Sequence, residues 1–303
     1  METVVPLISV IVPAFNAENY IELTISSILC QKNAPAYEIV VVNDGSQDLT
    51  GEILKNYGNK IKYIAQENQG VSVARNNAIS NSLGEWIAFC DADDIWDPDK
   101  LYEQSKLFSE KYDLIHSRCK IIDEDGCPID ARLSPLVEDN NFLKLIEGNF
   151  LWTSSVVARK SALLKAGGFP VGQTHAEDYC LWLKIASLGN GIGYIEKPLV
   201  AYREHAGGAS RNTRKIRIGE AQALEGLLTF LPSDSPPNIL NHIRERLFEC
   251  YFGFGWHQFH EGDMSNAILN FTSAKTFSDK ICFKLDGYIF LSKIIKKLKI
   301  GCN

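Results

Sequence analysis

Gly84-Glu85-Trp86-Ile87-Ala88-Phe89-Cys90-Asp91-Ala92-Asp93-Asp94-Ile95-Trp96 is the stretch whose reading decides the fold. Trp86 to Cys90 is an unbroken apolar run, and it ends abruptly in the carboxylates Asp91, Asp93 and Asp94. An apolar run of that length, bounded by a turn, predicts a strand buried on both faces. The aspartates then stand where the strand leaves the sheet, the edge at which open α/β sheets bind ligands. Two carboxylates two positions apart in a loop can approach one hard cation, Mg²⁺ or Mn²⁺, from the same side. Such an ion would neutralise a departing diphosphate. The plainer alternative is a solubilising loop ahead of the helix that begins near Asp97-Pro98.

On the N-terminal side, the same strand type recurs at Leu7 to Val12, Tyr37 to Val42 and Ile61 to Ala65. Helical spacing fills the intervals, from Ala17 to Gln31, from about Leu49 to Tyr57, and from Gly70 to Ser80. Strands alternating with helices predict parallel βαβ units. Right-handed crossovers leave the C-terminal strand ends on one edge, so Phe15, Asp44 and the Asp91–Asp93 pair should meet in one crevice. On the C-terminal side, the pattern predicts a helix from Pro98 to Lys111 and a strand from Asp113 to Ser117. A hairpin turning at Asp125-Gly126 and a short helix from Phe142 to Ile146 follow. Thr153 to Ala158 reads as a strand, and Ser161 as the cap of a helix ending at Gly167-Gly168. Gln173 to Tyr179 opens a helix through Leu188 whose apolar side carries Leu181, Trp182, Ile185 and Leu188. Two short strands, Gly191 to Ile195 and Leu199 to Tyr202, lead into Arg203-Glu204-His205.

After His205 the character changes. Gly207 to Ser210 reads as a flexible loop and Arg211 to Arg217 is basic. The remainder is helical in pattern, broken at Pro232 to Pro237. Trp256, Gly262-Asp263, Ala267, Phe271 and Ala274 match one tetratricopeptide-like helix pair. A single pair cannot bury its own face, so it should dock as a structural appendage. Residues 284–300 form a basic amphipathic stretch, with Leu285, Ile289, Ile294, Ile295 and Leu298 among Lys293, Lys296, Lys297 and Lys299. Peripheral contact with an anionic membrane surface and a surface helix with a solvated lysine face both fit it.

The 303 residues suffice for one large α/β domain with an appendage. The net charge of −6 argues against a nucleic-acid partner. No signal-peptide pattern opens the chain, and no apolar run is long enough to span a bilayer. None of the eight cysteines forms a C-x-x-C pair, and Cys30, Cys90 and Cys180 lie in apolar runs, so neither zinc nor disulfides are expected. This composition predicts a cytoplasmic protein, peripheral on the inner membrane face if the terminal helix binds lipid. The expected fold class is α/β, a Rossmann-like, mostly parallel sheet flanked by helices over residues 1–210, with an all-helical region over 211–303.

Five motifs carry a resemblance. Val10 to Asn16 (V-I-V-P-A-F-N), Val41 to Ser46 (V-V-N-D-G-S), Gly70 to Asn76 (G-V-S-V-A-R-N), Asp91-Ala92-Asp93-Asp94 and Glu177 to Trp182 (E-D-Y-C-L-W) resemble, in order and spacing, the family 2 glycosyltransferases of GT-A fold. The match covers about residues 6 to 210. The resemblance implies inverting transfer of a sugar from a nucleotide-diphosphate donor, with a UDP-sugar expected and Mn²⁺ or Mg²⁺ as cofactor. The acceptor it implies is a saccharide or lipid-linked saccharide, in the setting of polysaccharide biosynthesis. Pro13, Ala14 and Phe15 would line the nucleotide, Phe15 packing near the base. Asp44 would accept the base's ring N–H, as suits an ionised acceptor. Arg75 would lie near base and ribose. Asp91 and Ala92 would face the donor, Asp93 would bind the metal directly, and His205 would add a metal or diphosphate contact.

Asp178 is the expected general base, placed at a helix start where the dipole favours an ionised carboxylate. A carboxylate there is commonly a cap, and Glu177 could exchange roles with it. Asp94 and Trp182 read as structural. Sugar specificity would rest on loops such as Arg118 to Arg132 and Phe150 to Thr153. Among rivals, an Asp-x-Asp phosphatase fits poorly because Ile95 stands where Thr or Val is usual. A nucleotidyltransferase lacks its Gly-rich loop with Lys. A nucleotide-binding module without turnover stays open, to be separated by release of nucleoside diphosphate.

Overall fold

The computed structural model describes residues 5–136, 141–173, 175–208, 212–278 and 283–300. Side chains of 130–132, 213, 283–284 and 297–300 lie outside the description, as do Thr174, Ala209 to Arg211, Cys282 and Cys302. The chain divides into two compact units, Met1–Asn212 and Thr213–Asn303.

The first unit begins with β1 (Ile8–Ala14), α1 (Ile21–Leu29), β2 (Tyr37–Asp44), α2 (Thr50–Lys55), β3 (Lys62–Gln66), α3 (Val71–Ser80) and β4 (Trp86–Phe89). The β-branched and apolar side chains of β1, β2 and β4 are buried, as two-sided burial between helices requires. β1 pairs in parallel with β2, with Ala14 beside Asn43, and with β4, with Ile11 beside Phe89. β3 adds to β2 with Gln66 beside Asp44. The order β3-β2-β1-β4 reverses at β1, so a crevice opens at the C-terminal ends of β1 and β4.

Beyond the Asp91–Asp94 loop come β5 (Ile95–Trp96), α4 (Lys100–Ser105), β6 (Tyr112–Ile122), β7 (Pro128–Leu133) and α5 (Phe142–Glu147). A one-turn 3₁₀ segment, Thr153–Ser155, precedes β8 (Val157–Arg159), α6 (Lys160–Lys165), α7 (Glu177–Ser187) and β9 (Gly191–Arg203). The sheet continues from β4 through β8, β6 and β9 to β5, with β7 paired to β6. β8 is antiparallel to β4 and β6, whereas β6 and β9 are parallel. The β6–β7 hairpin turns where Gly126 takes a positive φ, as its Asp-Gly signal predicts.

Several local expectations need correction. The two short strands expected between Gly191 and Tyr202 are one strand, because β6 supplies a continuous partner. The helix expected from Pro98 to Lys111 is helical only over α4, with Asp99 at the N-cap position. Thr153 to Ser155 is a 3₁₀ turn rather than strand. Arg159, not Ser161, is the N-cap of α6. Leu188 is the C-cap of α7 and is 39% exposed, so the apolar side ends one turn earlier. Cys30 is exposed at the end of α1, where the apolar periodicity stops. The six described cysteines are free thiols.

The second unit holds α8 (Thr213–Phe230), α9 (Pro237–Glu261), α10 (Met264–Thr276) and α11 (Phe283–Ile300). Pro at the start of α9 and left-handed Gly262 at its end delimit that helix. α9 and α10 pack against each other. Gly255 in mid-α9 permits their close approach, since a Cβ there would lie 2.6 Å from the Phe271 ring. Ala267, Phe271, Ala274 and Leu285 form the small core, flanked by Tyr288 and Ile289 of α11. The opposite side of α11 exposes Phe290 (67%), Leu291 (43%) and Ile294 (39%) beside Lys293 and Lys296. No helix among the described residues is long and apolar enough to cross a membrane.

Candidate active site

The loop between β4 and β5 is held from below. The Thr24 hydroxyl donates to the carbonyls of Ala92 and Asp94 at 2.9 and 2.8 Å. Asp94 is fully buried and its Oδ1 accepts the Arg203 N–H at 2.9 Å, which assigns it to structure as expected. Arg203 also donates from Nε to the Asp93 carbonyl at 2.8 Å. Lys100 lies under this region, fully buried, with Nζ 4.0 Å from the centre of the Trp96 ring and donating to Gln104. Burial pushes its ammonium down to about 7.

β5 pairs with the end of β9, Ile95 beside Ala201, so the residues just past β9 reach back to the loop. His205 Nε2 thereby sits 2.9 Å from Asp93 Oδ2, and the Tyr20 ring packs against the imidazole at 5.0 Å. Burial pushes the Asp93 carboxyl up, Asp91 adds to that, and the hydrogen bond to His205 opposes it. One carboxylate and one imidazole fit Mn²⁺ better than Mg²⁺, which prefers oxygen throughout. Among the described residues no group of three or more His, Cys, Asp or Glu gathers to cage a metal.

Asp91 points elsewhere. Its Oδ1 accepts from Arg75 Nη2 at 2.7 Å, and Arg75 Nη1 donates to Glu177 Oε1 at 2.8 Å. Arg75 is 4% exposed; burial pulls its pKa down, Asp91 and Glu177 more than offset that, and the guanidinium stays charged. One guanidinium thus joins the Asp91 loop to the first turn of α7. Sequence reasoning assigned Arg75 to base and ribose and did not foresee this bridge, which joins residues 102 positions apart in the chain.

The two acidic residues at the start of α7 are separated by their partners. Glu177 is committed to Arg75. Asp178 Oδ2 accepts from the Thr153 hydroxyl at 2.8 Å and from Asn149 Nδ2 at 3.4 Å, and Oδ1 accepts the Tyr179 N–H at 2.7 Å. Burial, reinforced by Glu177, pushes its carboxyl up to about 6, with Arg75 and Thr153 pulling the other way. Trp182 is buried in core, edge-on to Phe89 and Phe169.

Phe15 caps the end of β1 and is 50% exposed, so it does not belong to the core. Its neighbour Asn16 is left-handed and is tied to the loop after β2, its N–H donating to Ser46 and its Oδ1 accepting from Gln47. Pro13 and Ala14 lie on β1 beside Val42 and Asn43. Asp44 accepts the N–H groups of Gln69 and Gly70 at 3.0 and 2.8 Å and Gln66 Nε2 at 2.7 Å. Gly45 follows with φ +75, and a Cβ there would strike the Asn68 nitrogen at 2.7 Å. Asp44 is therefore also the anchor of the 66–70 loop, a role its position before Gly45 only partly suggests.

The model of glycosyl transferase family 2 matches residues 9–165. The chain belongs to that family. An uncharacterized glycosyltransferase of Rickettsia conorii is 34% identical over 203 residues, which is 66% of this chain and 33% of that protein. This family 2 chain thus spans about a third of that relative's length. The crystal structure of S. aureus TarS 1–349 in complex with UDP-GlcNAc superposes with a TM-score of 0.61 at 20% identity, covering 96% of this chain and 91% of that one. The mannosyltransferase PcManGT from Pyrobaculum calidifontis, in complex with GDP-Man and Mn²⁺, superposes with a TM-score of 0.59 at 18% identity, covering 98% and 87%. At such identities these two show the fold, which is of the GT-A type with a C-terminal helical region.

Proposed function

We propose that this chain is an inverting glycosyltransferase that moves a sugar from a nucleotide-diphosphate donor, a UDP-sugar, to a saccharide or lipid-linked saccharide. The observation that carries this reading is the Asp91–Arg75–Glu177 bridge. It sets the donor-side loop and the first turn of α7 on one crevice, with Asp178 next to the bridged Glu177. Complexes of fold neighbours with UDP-GlcNAc and with GDP-Man and Mn²⁺ support a nucleotide-sugar donor.

In this mechanism Asp178 accepts the proton of the acceptor hydroxyl. The hydroxyl oxygen bonds to the anomeric carbon as that carbon's bond to the diphosphate breaks, and the bonding pair leaves with the diphosphate. A single displacement of this kind inverts the centre. Asp178 suits the task because its carboxyl, held near 6, is ionised at neutral pH yet basic enough to take a proton. Asp93 and His205 would hold a divalent cation, whose charge stabilises the leaving diphosphate. Phe15 stands free at the end of β1 to pack on the base, and Asp44 is the acceptor for its ring N–H. The α11 helix supports peripheral binding to an anionic inner membrane face, where a lipid-linked acceptor would be met.

Calorimetric titration with UDP, GDP, CDP and dTDP, in Mn²⁺ and in chelator, tests the donor site. Binding of UDP that needs both Mn²⁺ and Asp93, and is lost in Asp93→Ala, is expected. Metal-independent binding, or none, would overturn it. Release of free UDP from a UDP-sugar panel then separates an enzyme from a binding module.

A further inference from the structure

The 3₁₀ turn Thr153–Ser155 touches both carboxylate loops of the site with consecutive side chains. Thr153 donates its hydroxyl to Asp178 Oδ2 at 2.8 Å. Ser154, 1% exposed, accepts the Asp91 N–H on its hydroxyl oxygen at 2.9 Å. The turn itself is locked from behind. The Ser154 carbonyl accepts Trp96 Nε1 at 3.1 Å, and the Ser155 carbonyl accepts Gln104 Nε2 at 2.7 Å. Ser155 closes the turn by donating its hydroxyl to the Trp152 carbonyl at 2.7 Å, and Phe89 N–H donates to the Val156 carbonyl at 3.1 Å. This makes one rigid turn, buried at Ser154 and Ser155, with a fixed seat in the sheet.

We infer that Thr153 is a positioning residue for the base, holding Asp178 on the same turn that holds Asp91. The inference rests on the assignment of Asp178 as base. A carboxylate oxygen has room for two hydrogen bonds. Asp178 Oδ1 accepts one, from the Tyr179 N–H at 2.7 Å, and Oδ2 accepts two, from Thr153 at 2.8 Å and from Asn149 at 3.4 Å. Oδ1 therefore keeps room for the acceptor, and Thr153, the shorter of the two bonds on Oδ2, fixes the carboxylate plane that aims it. A misplaced reacting group costs rate even when all groups are present. The hydroxyl also favours the ionised form, because it donates to it. Among the described residues, the charges that weigh most on Asp178 are Glu177 on its own helix, which disfavours ionisation, and Arg75 of α3, which favours it.

Thr153→Val keeps the shape and removes the donor; Thr153→Ser keeps the donor. Each is followed by thermal unfolding, by carboxyl ¹³C titration of Asp178, and by the pH dependence of kcat with the active UDP-sugar. In Thr153→Val the Asp178 titration and the acid limb of kcat should move up by about one pH unit, with kcat at pH 7 reduced roughly tenfold or more. The KM for donor should stay within about twofold, as uniform binding is untouched. Thr153→Ser should restore the wild-type titration and most of kcat. An unchanged titration and pH profile in a folded Thr153→Val would overturn the inference. The ¹³C titration reads it without turnover, so an absence of activity in wild type would sink the functional proposal and not be confused with this one.

Discussion

Asp178 illustrates how a single carboxylate trades stability for chemistry. Its folded pKa is raised, so its contribution to stability is greatest below about 4 and is lost as pH rises through about 6. Activity runs the other way, since the base must be ionised. The rate should climb as pH passes through about 6, then level off. Asp178→Asn should lower kcat by roughly 10²–10⁴ and raise stability at pH 7 by on the order of 2 kcal/mol. A drop in melting temperature at pH 7 would contradict the stability half, and wild-type turnover the catalytic half. The sequence could place Asp178 at a helix start, with Glu177 as the fallback one residue away. The two differ only in what lies opposite them, Arg75 for one and Thr153 for the other, and those partners lie 102 and 25 residues away.

At the scale of the element, α7 begins from a strained position. Ala176, its N-cap, has φ +56, a left-handed conformation that costs an L-residue with a Cβ about 1–2 kcal/mol. Such strain persists where surrounding structure imposes it, and here it directly precedes Glu177 and Asp178. Ala176→Gly should relieve it and stabilise the protein by about 0.5–1 kcal/mol, offset in part by glycine's freedom in the unfolded chain. Denaturant unfolding checks this; a destabilised variant would show that the conformation is not strained. The strands β1, β2 and β4 were legible because two-sided burial writes an apolar run into sequence. β9 was not legible as one strand, since Gly191 to Arg203 carries Glu196, Lys197 and Pro198 in its middle. Its continuity is imposed by β6, and it delivers His205 to Asp93.

For the whole molecule, the second unit packs α11 by Leu285, Tyr288 and Ile289 and leaves Phe290, Leu291 and Ile294 outward among lysines. Three large apolar side chains exposed on a lysine-bearing helix are what contact with an anionic lipid surface would use. Each lysine near an anionic surface is worth about 1 kcal/mol. Flotation with phosphatidylcholine vesicles, with and without phosphatidylglycerol, should therefore show binding to the anionic vesicles alone. Lys293→Glu with Lys296→Glu, or removal of residues 284–303, should abolish it. Binding that survives both changes would refute the membrane reading.

Local sequence determined the alternating parallel half of the sheet, the position of Asp91 to Asp94 at its edge and the hairpin turn at Asp125-Gly126. Each follows from periodicity, turn chemistry or glycine placement, which act over a few residues. Only the tertiary structure decided that Arg75 bridges Asp91 to Glu177, that Thr153 and Ser154 hold the two carboxylate loops on one turn, and that His205 reaches Asp93. These depend on strand order and on antiparallel β8 and β5, which bring distant segments within hydrogen-bond reach. Such long-range pairing leaves no period in the sequence.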